Sequence, residues 1–371
     1  MQNLLELTAD ALADWFAGRG LPGYRAAQLR RWLFQKRADR FDQMTDLPKA
    51  LRDDLAAEFR IWTTRVARHR ASRDGTEKLL LELADGQRVE CVLLRDGPEK
   101  GDKSHLPRSG PEGASHKWDL SPFSGPRRSR RTVCLSTQVG CAMGCAFCAS
   151  GLDGLVRNLT PGEIIEQLLR LARLLPDDER LSHVVVMGMG EPLANLDGLL
   201  VALATATDPD GLGISARRIT ISTVGLPAAL DRLAEHDCPY HLAVSLHAPD
   251  DALRNRLVPA GRKIGIAAIL AAADRYFQAT GRRVTFEYVL LSGINDRPRH
   301  ARKLAALLAG RSALVNLIPY NPVPGLPYQT PAPEDTARFV ELLQSAGITV
   351  KTRYRKGDRI DAACGQLRRA P

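Results

Sequence analysis

Cys141, Cys145 and Cys148 fall within eight residues of a 371-residue chain, in the run Gln138-Val139-Gly140-Cys141-Ala142-Met143-Gly144-Cys145-Ala146-Phe147-Cys148. This spacing lets one short loop fold three thiolates around a single site. Three thiolates can hold three irons of a [4Fe-4S] cluster, leaving the fourth iron open to a ligand from outside the protein. A closed zinc site is the competing reading, but it needs four ligands, usually in two pairs. The nearest histidines, His116 and His183, have no partner at ligand spacing, so the cluster is the preferred reading. The apolar stretch Thr132 to Leu135 reads as a strand, which puts the triad on a strand-to-helix loop.

Composition bounds the rest. The length suggests one large domain and a smaller one. Hydrophobic residues make up 44% of the chain, enough for a sizeable core. No apolar run approaches the roughly 20 residues that cross a bilayer. The N-terminus lacks the basic and apolar regions of a signal peptide, so a cytoplasmic protein is expected. Its seven cysteines are odd in number and irregularly spaced, which argues against a disulfide framework. The net charge of +10 suggests a polyanionic partner. Lys100 to Arg131 carries eight Lys or Arg against three acids, so this one segment supplies five of the ten net charges.

The elements that must position the triad follow from periodicity. Residues 1–60 read as a helical accessory domain, expected to bind RNA. Thr8 caps a helix to about Ala17, a second runs from Tyr24 to Gln35, and a third from Pro48 to Phe59. Arg25, Arg30, Arg31, Lys36, Arg37 and Arg40 gather on and after the second helix, where the charge pattern suggests a solvated face. Residues 61–95 alternate as a β-hairpin turning at Asp85-Gly86. Residues 96–131 form a basic insertion rich in Gly, Pro and Ser, either a phosphate-binding arm or a disordered spacer.

From 132 to 371 the pattern is strand–helix, with apolar runs at 132–137, 183–188, 217–222, 241–246, 284–290 and 314–318. Six such units imply an α/β fold, a parallel sheet curled into a partial (β/α)6 barrel. Each run ends in polar or glycine-rich residues, where such folds bind ligands.

These motifs resemble those of radical S-adenosylmethionine (SAM) enzymes, and among them the adenine-C2 RNA methyltransferases. The match spans nearly the whole chain except the insertion. It is carried by Cys134 through Cys141, Gly188-Met189-Gly190-Glu191-Pro192, Ser245-Leu246-His247-Ala248-Pro249, Asn316 through Pro322, and Asp361-Ala362-Ala363-Cys364-Gly365-Gln366-Leu367. The family implies 23S ribosomal RNA and transfer RNA as substrates, two SAM molecules per methyl transferred, and a flavodoxin-type electron donor acting on a monomer. Carbon 2 of adenine lies between two ring nitrogens and is no nucleophile, so methylating it requires a carbon radical.

The resemblance implies particular roles. A first SAM methylates Cys364, and a 5′-deoxyadenosyl radical from a second SAM takes hydrogen from that methyl group. The resulting carbon adds to the base, Glu90 removes the carbon-2 proton, and Cys134 resolves the adduct by forming a disulfide. On sequence alone Glu90 would be an exposed strand carboxylate; the motif match reverses that. Gly190 and Glu191 would meet the methionine part of SAM, with Ser222, Ser245, Leu246, His247 and Asn321 continuing around the barrel mouth. Cys91 and Cys238 have no role and read as ordinary buried cysteines. One departure is Arg359, which stands where the family commonly has an acid.

Three rivals remain at this stage. The carbon-8 methylating relative shares the cysteine set. A radical SAM enzyme with a non-RNA substrate would leave Cys134 and Cys364 idle. An RNA-binding protein with a structural metal would hold zinc instead of iron.

Overall fold

A computed structural model of the chain describes residues 1–96, 129–236, 240–353, 357 and 360–369. Most of the basic insertion, Cys238 and Arg359 lie outside the described residues.

The chain opens with a two-residue strand, Gln2–Asn3 (β1), and three helices follow: Ala9–Ala17 (α1), Tyr24–Phe34 (α2) and Lys49–Glu58 (α3). Phe59–Arg60 (β2) then returns to pair with β1 in parallel. Thr8 caps α1, its hydroxyl accepting from the Ala11 N–H at 3.1 Å. Leu12 and Phe16 on α1 and Leu29 and Leu33 on α2 are buried at i, i+4 spacing, the stripe that holds a small helical cluster together.

Of the basic residues on and after α2, Arg31, Lys36 and Arg40 are exposed as their charge suggests, but Arg30 and Arg37 are not. Arg30 is buried and donates to Asp208 at 2.6 Å. Arg37 donates to the main-chain oxygens of Leu175 at 2.8 Å and Pro176 at 3.2 Å. Both side chains fasten the helices to distant segments, which no local charge pattern can announce.

Arg65–Ala71 (β3), Glu77–Glu82 (β4) and Arg88–Arg95 (β5) form an antiparallel meander. The third strand was not expected, because β3 is Arg-Val-Ala-Arg-His-Arg-Ala and mostly exposed, with no buried alternation to mark it. The meander is continuous with the main sheet, since β5 pairs antiparallel with Arg131–Cys134 (β6). Gln138–Gly140 (β7) and Leu155–Asn158 (β8) then form a small hairpin before Pro161–Ala172 (α4). Thr160 and Glu163 make a reciprocal capping box at the start of α4.

The strand–helix rhythm continues through His183–Val186 (β9), Leu196–Thr207 (α5), Ile219–Thr223 (β10), Pro227–Glu235 (α6) and His241–Ser245 (β11). It ends with Asp251–Leu257 (α7), Ile266–Thr280 (α8), Val284–Leu290 (β12), Pro298–Leu308 (α9), Ala313–Pro319 (β13), Pro333–Ser345 (α10) and Thr349–Thr352 (β14). Among the described residues one sheet has the order β14-β13-β12-β11-β10-β9-β6-β5-β4-β3. Its first seven strands run parallel, one more than the six apolar runs implied. Thr-Val-Lys-Thr in β14 has no apolar run; pairing with β13 makes it a strand.

Val184, Val186, Ile219, Ile221, Leu242 and Val244 are fully or almost fully buried in the main core. Glu166 on α4 joins the N-terminal segment to the barrel. Its carboxylate accepts from the Thr63 N–H at 2.8 Å, the Thr64 N–H at 2.9 Å and Asn3 Nδ2 at 3.2 Å.

Candidate active site

The hairpin of β7 and β8 shapes the cysteine loop. Gly140 has φ +77°, and a Cβ there would lie 1.9 Å from the Gly154 oxygen, so glycine is required for the strands to cross. The loop is then docked by main-chain bonds. Ala146 N–H donates to the Leu257 oxygen at the end of α7 (2.9 Å), and Ala149 N–H to the Gly365 oxygen (2.8 Å). The second bond ties the triad directly to the segment that carries Cys364.

Cys141, Cys145 and Cys148 line a cavity of about 140 Å³ at the carboxyl ends of the parallel strands. Burial pushes all three thiols up, Cys141 to about 12 and Cys145 well above its usual range. Main-chain N–H groups oppose this, from Met143 and Gly190 at Cys141 and from Ser150 and Gly151 at Cys148. Buried thiols of this kind become thiolates when a metal replaces the proton. Three thiols lining one open cavity, with main-chain N–H donors at Cys141 and Cys148, fit a cluster held by three cysteines with one iron left open.

The rest of the lining holds the other expected cofactor contacts, beginning beside Cys141. Gly190, which lines the cavity, has φ +104°, and a Cβ would lie 2.6 Å from Gln138, so only glycine lets the chain pass this close to Gln138. Glu191 is buried, and desolvation raises its pKa. Its oxygens accept from the Leu193 N–H at 3.1 Å and the Val224 N–H at 2.9 Å. Ser222 and Ser245 face each other at 3.4 Å. His247 is pushed down to about 3 by burial first and by the Arg254 charge second. Its Nδ1 accepts from the Val289 N–H at 3.1 Å, which leaves the ring proton on Nε2. Leu246 is the exception: its side chain is buried in the main core and does not line the cavity.

A second, larger cleft opens along the inside of the sheet, with Val92, Cys134, Lys351, Arg353 and Cys364 among its lining. Met187, Ile318, Asn321 and Cys364 line both spaces, so Cys364 stands in the wall where cavity and cleft meet. Cys134 is buried, and its thiol is pushed up to about 12 by burial first and by Cys364 second. Cys364 is exposed, and its thiol is also raised by the surrounding protein, with Arg353 opposing that rise. The residues at 134 and 364, far apart in the chain, thus face each other across one cleft.

Glu90 is placed differently. It is buried, not exposed, and lies under the segment 361–368 instead of in the thiol cleft. Its Oε1 is 2.9 Å from Lys78 Nζ, itself buried, and its Oε2 accepts from the Arg368 N–H at 3.0 Å. Desolvation raises its pKa, and Lys78 works against that rise. Lys78 also donates to the Asp361 oxygen at 2.8 Å. Cys91, one residue on, is fully buried in the core.

Sequence reasoning missed three residues here. Arg353 follows β14, the strand with no apolar signal. Glu287 sits in the middle of β12, buried, and accepts from Asn316 Nδ2 at 3.0 and 2.9 Å. Lys78 looked like the polar start of a strand; Glu-Lys-Leu-Leu-Leu-Glu gives no sign that its cation turns inward.

Known proteins match this arrangement. Residues 135–305 match the radical SAM superfamily, and residues 2–61 match the ribosomal RNA large subunit methyltransferase N-terminal domain. A probable dual-specificity RNA methyltransferase RlmN of Rhodopirellula baltica is 58% identical, covering 99% of this chain and 91% of that protein. The protein of the same name from Symbiobacterium thermophilum is 47% identical, with coverages of 99% and 91%. The crystal structure of a radical SAM methyltransferase from Sphaerobacter thermophilus superposes with a TM-score of 0.88 at 41% identity, covering all of both chains. This chain belongs to the RlmN family of radical SAM RNA methyltransferases.

Proposed function

We propose that the protein methylates carbon 2 of an adenine in 23S ribosomal RNA, and of adenine 37 in some transfer RNAs, through a methyl group carried on Cys364. The observation that carries this is the position of Cys364 between the cofactor cavity and the cleft that holds Cys134. A thiol in that wall can receive a methyl group from one side and deliver it to a base on the other.

Cys141, Cys145 and Cys148 would hold the [4Fe-4S] cluster, with SAM bound against Gly190, Glu191, Ser222, Ser245, His247 and Asn321. Leu246 would contribute through its backbone alone. When bound, the cluster supplies the electron that splits SAM and generates the hydrogen-abstracting radical. Cys364 first attacks the SAM methyl group as a thiolate, and the Arg353 cation favours that ionised form. A second SAM would be consumed in activating the methyl that Cys364 then holds.

Once the methylene carbon is joined to carbon 2, the adduct's unpaired electron would return to the cluster, and Glu90 would take the carbon-2 proton, whose bonding pair restores the aromatic ring. The raised proton affinity of Glu90 and its place on the same strand face as Val92, a cleft residue, support that role. Lys78 and the Arg368 N–H engage it here, so segment 361–368 must shift before it acts. Cys134 then attacks the Cys364 sulfur. The S–S bond forms as the carbon–sulfur bond breaks, and its electron pair leaves with the methyl carbon, which takes a proton. A flavodoxin-type donor would supply the electrons, with the enzyme acting as a cytoplasmic monomer.

Nucleoside analysis of ribosomal and transfer RNA from cells with and without the gene tests the reading. Loss of 2-methyladenosine supports it; loss of the carbon-8 isomer, or no change, overturns it. Replacing Cys134 with alanine should leave RNA crosslinked through Cys364, and clean release of free RNA would sink the resolving role.

A further inference from the structure

Arg254 on α7 is one of the largest fully buried side chains, 1% exposed. Its Nη2 donates to the Val224 oxygen at 2.5 Å, while Nε and Nη1 are buried without any partner. It makes no ion pair among the described residues. Asp251 acts on it electrostatically, after Cys145, but makes no ion pair with it among the described residues; its Oδ1 accepts the Ile266 N–H at 2.7 Å. A guanidinium never gives up its charge, so burying one without an anion is unfavourable. Some negative charge is therefore missing from its surroundings.

The neighbours say which charge. Arg254 acts electrostatically on Cys145, the middle thiol of the triad. The loop bearing that thiol is bonded to the end of the same helix, at Leu257. Cys145 and Val224 line the cavity but Arg254 does not, so it stands one layer behind them. Three thiolates outweigh the positive charge of an iron–sulfide core, and reduction adds one electron more.

We infer that Arg254 is the buried counter-charge of the iron–sulfur cluster, placed behind Cys145 so that the cluster accepts its electron more readily. It acts as a positioning residue that touches neither SAM nor RNA. The inference rests on Cys141, Cys145 and Cys148 holding the cluster. Net charge is one of the levers that set a cluster's potential, and here the lever is a fixed cation. A SAM carboxylate is the other anion near enough to consider, but Arg254 does not reach the cavity where that group would lie.

The test uses the full chain, reconstituted with iron and sulfide without SAM, as wild type, Arg254→Lys and Arg254→Met. The midpoint potential should move to more negative values in R254M and stay near wild type in R254K. Adding SAM should leave the gap between R254M and wild type in place. Melting of the iron-free proteins supplies a second readout. Without the cluster, R254M should melt no lower than wild type, because the unpaired cation is gone; with the cluster, it should melt lower.

An R254M protein with a normal iron load and an unchanged potential overturns the inference. So does a gap that appears only with SAM, which would assign the cation to the carboxylate. An R254M protein that is equally destabilised with and without iron, or unfolded in both, makes Arg254 a fold residue and also overturns it. Wild type that fails to bind iron would instead sink the cluster assignment itself.

Discussion

Asn321 Nδ2 donates to the main-chain oxygen of Cys364 at 3.1 Å, so a residue of the cavity wall holds the backbone of the thiol proposed to carry the methyl group. Its own Oδ1 is buried without a partner and is free to accept from SAM. Asn321→Ala removes both interactions at once. Turnover should fall by about 10- to 100-fold, equivalent to about 1.4–2.8 kcal/mol. The methylated fraction of Cys364, read by peptide mass spectrometry, should fall with it. An Asn321→Ala protein with wild-type turnover would show that the contact is incidental.

The Cys134 thiol, pushed up to about 12 by burial, is almost wholly protonated at neutral pH. Only its thiolate can attack the Cys364 sulfur. Resolution of a preformed RNA adduct should therefore speed up by about tenfold per pH unit between roughly pH 7 and 9, without levelling off. The sign for stability is opposite. The folded state holds this proton more tightly than the unfolded state, so stability falls as pH climbs past the unfolded thiol value toward about 12. A plateau near pH 8 in single-turnover release would mean that Cys134 is far more acidic than its burial implies.

Lys78 and Glu90 form an ion pair with both side chains buried. Removing one partner of such a pair typically costs about 3–5 kcal/mol, because the other charge is left stranded. Lys78→Met should lose about that much in denaturant unfolding, and adding Glu90→Gln should recover part of it. Glu90 has a raised folded pKa, so the folded state favours its protonated form. The Lys78→Met penalty should then shrink as pH falls through that value, where the stranded carboxylate neutralises. A penalty independent of pH would place the damage elsewhere.

Arg217, Arg218 and Lys351 are exposed and line the thiol cleft. If they track RNA phosphates, each alanine substitution should weaken binding of unrelated RNA sequences about equally. Each should also reduce the slope of log affinity against log salt by about 0.7–1. Filter binding across a salt series reads both; an unchanged slope removes the residue from the RNA track.

Much of this was legible in the sequence, for identifiable reasons. Cys141, Cys145 and Cys148 are close in sequence, and their spacing alone suggests a shared site. The first three helices carry clean apolar stripes, and Thr8 and Thr160 announce the caps of α1 and α4. Cys134 and Cys364 could be paired only through family resemblance, because their meeting depends on the curvature of the sheet. Arg353, Glu287 and Arg254 gave no local signal, since burying a charge depends on neighbours that arrive from elsewhere in the chain. β3 and β14 were hidden because their sequences are polar, and pairing supplies what their composition lacks.

The strand order gives the Cys134–Cys364 pair a mechanical meaning. Cys134 ends β6, the first strand of the parallel set, and Cys364 follows β14, the last. Among the described residues no hydrogen-bonded ladder joins those two strands. A disulfide between the two thiols would therefore span the open seam of the barrel like a clasp. Each catalytic cycle would fasten that seam, and the reductant that breaks the S–S bond would unfasten it for the next RNA.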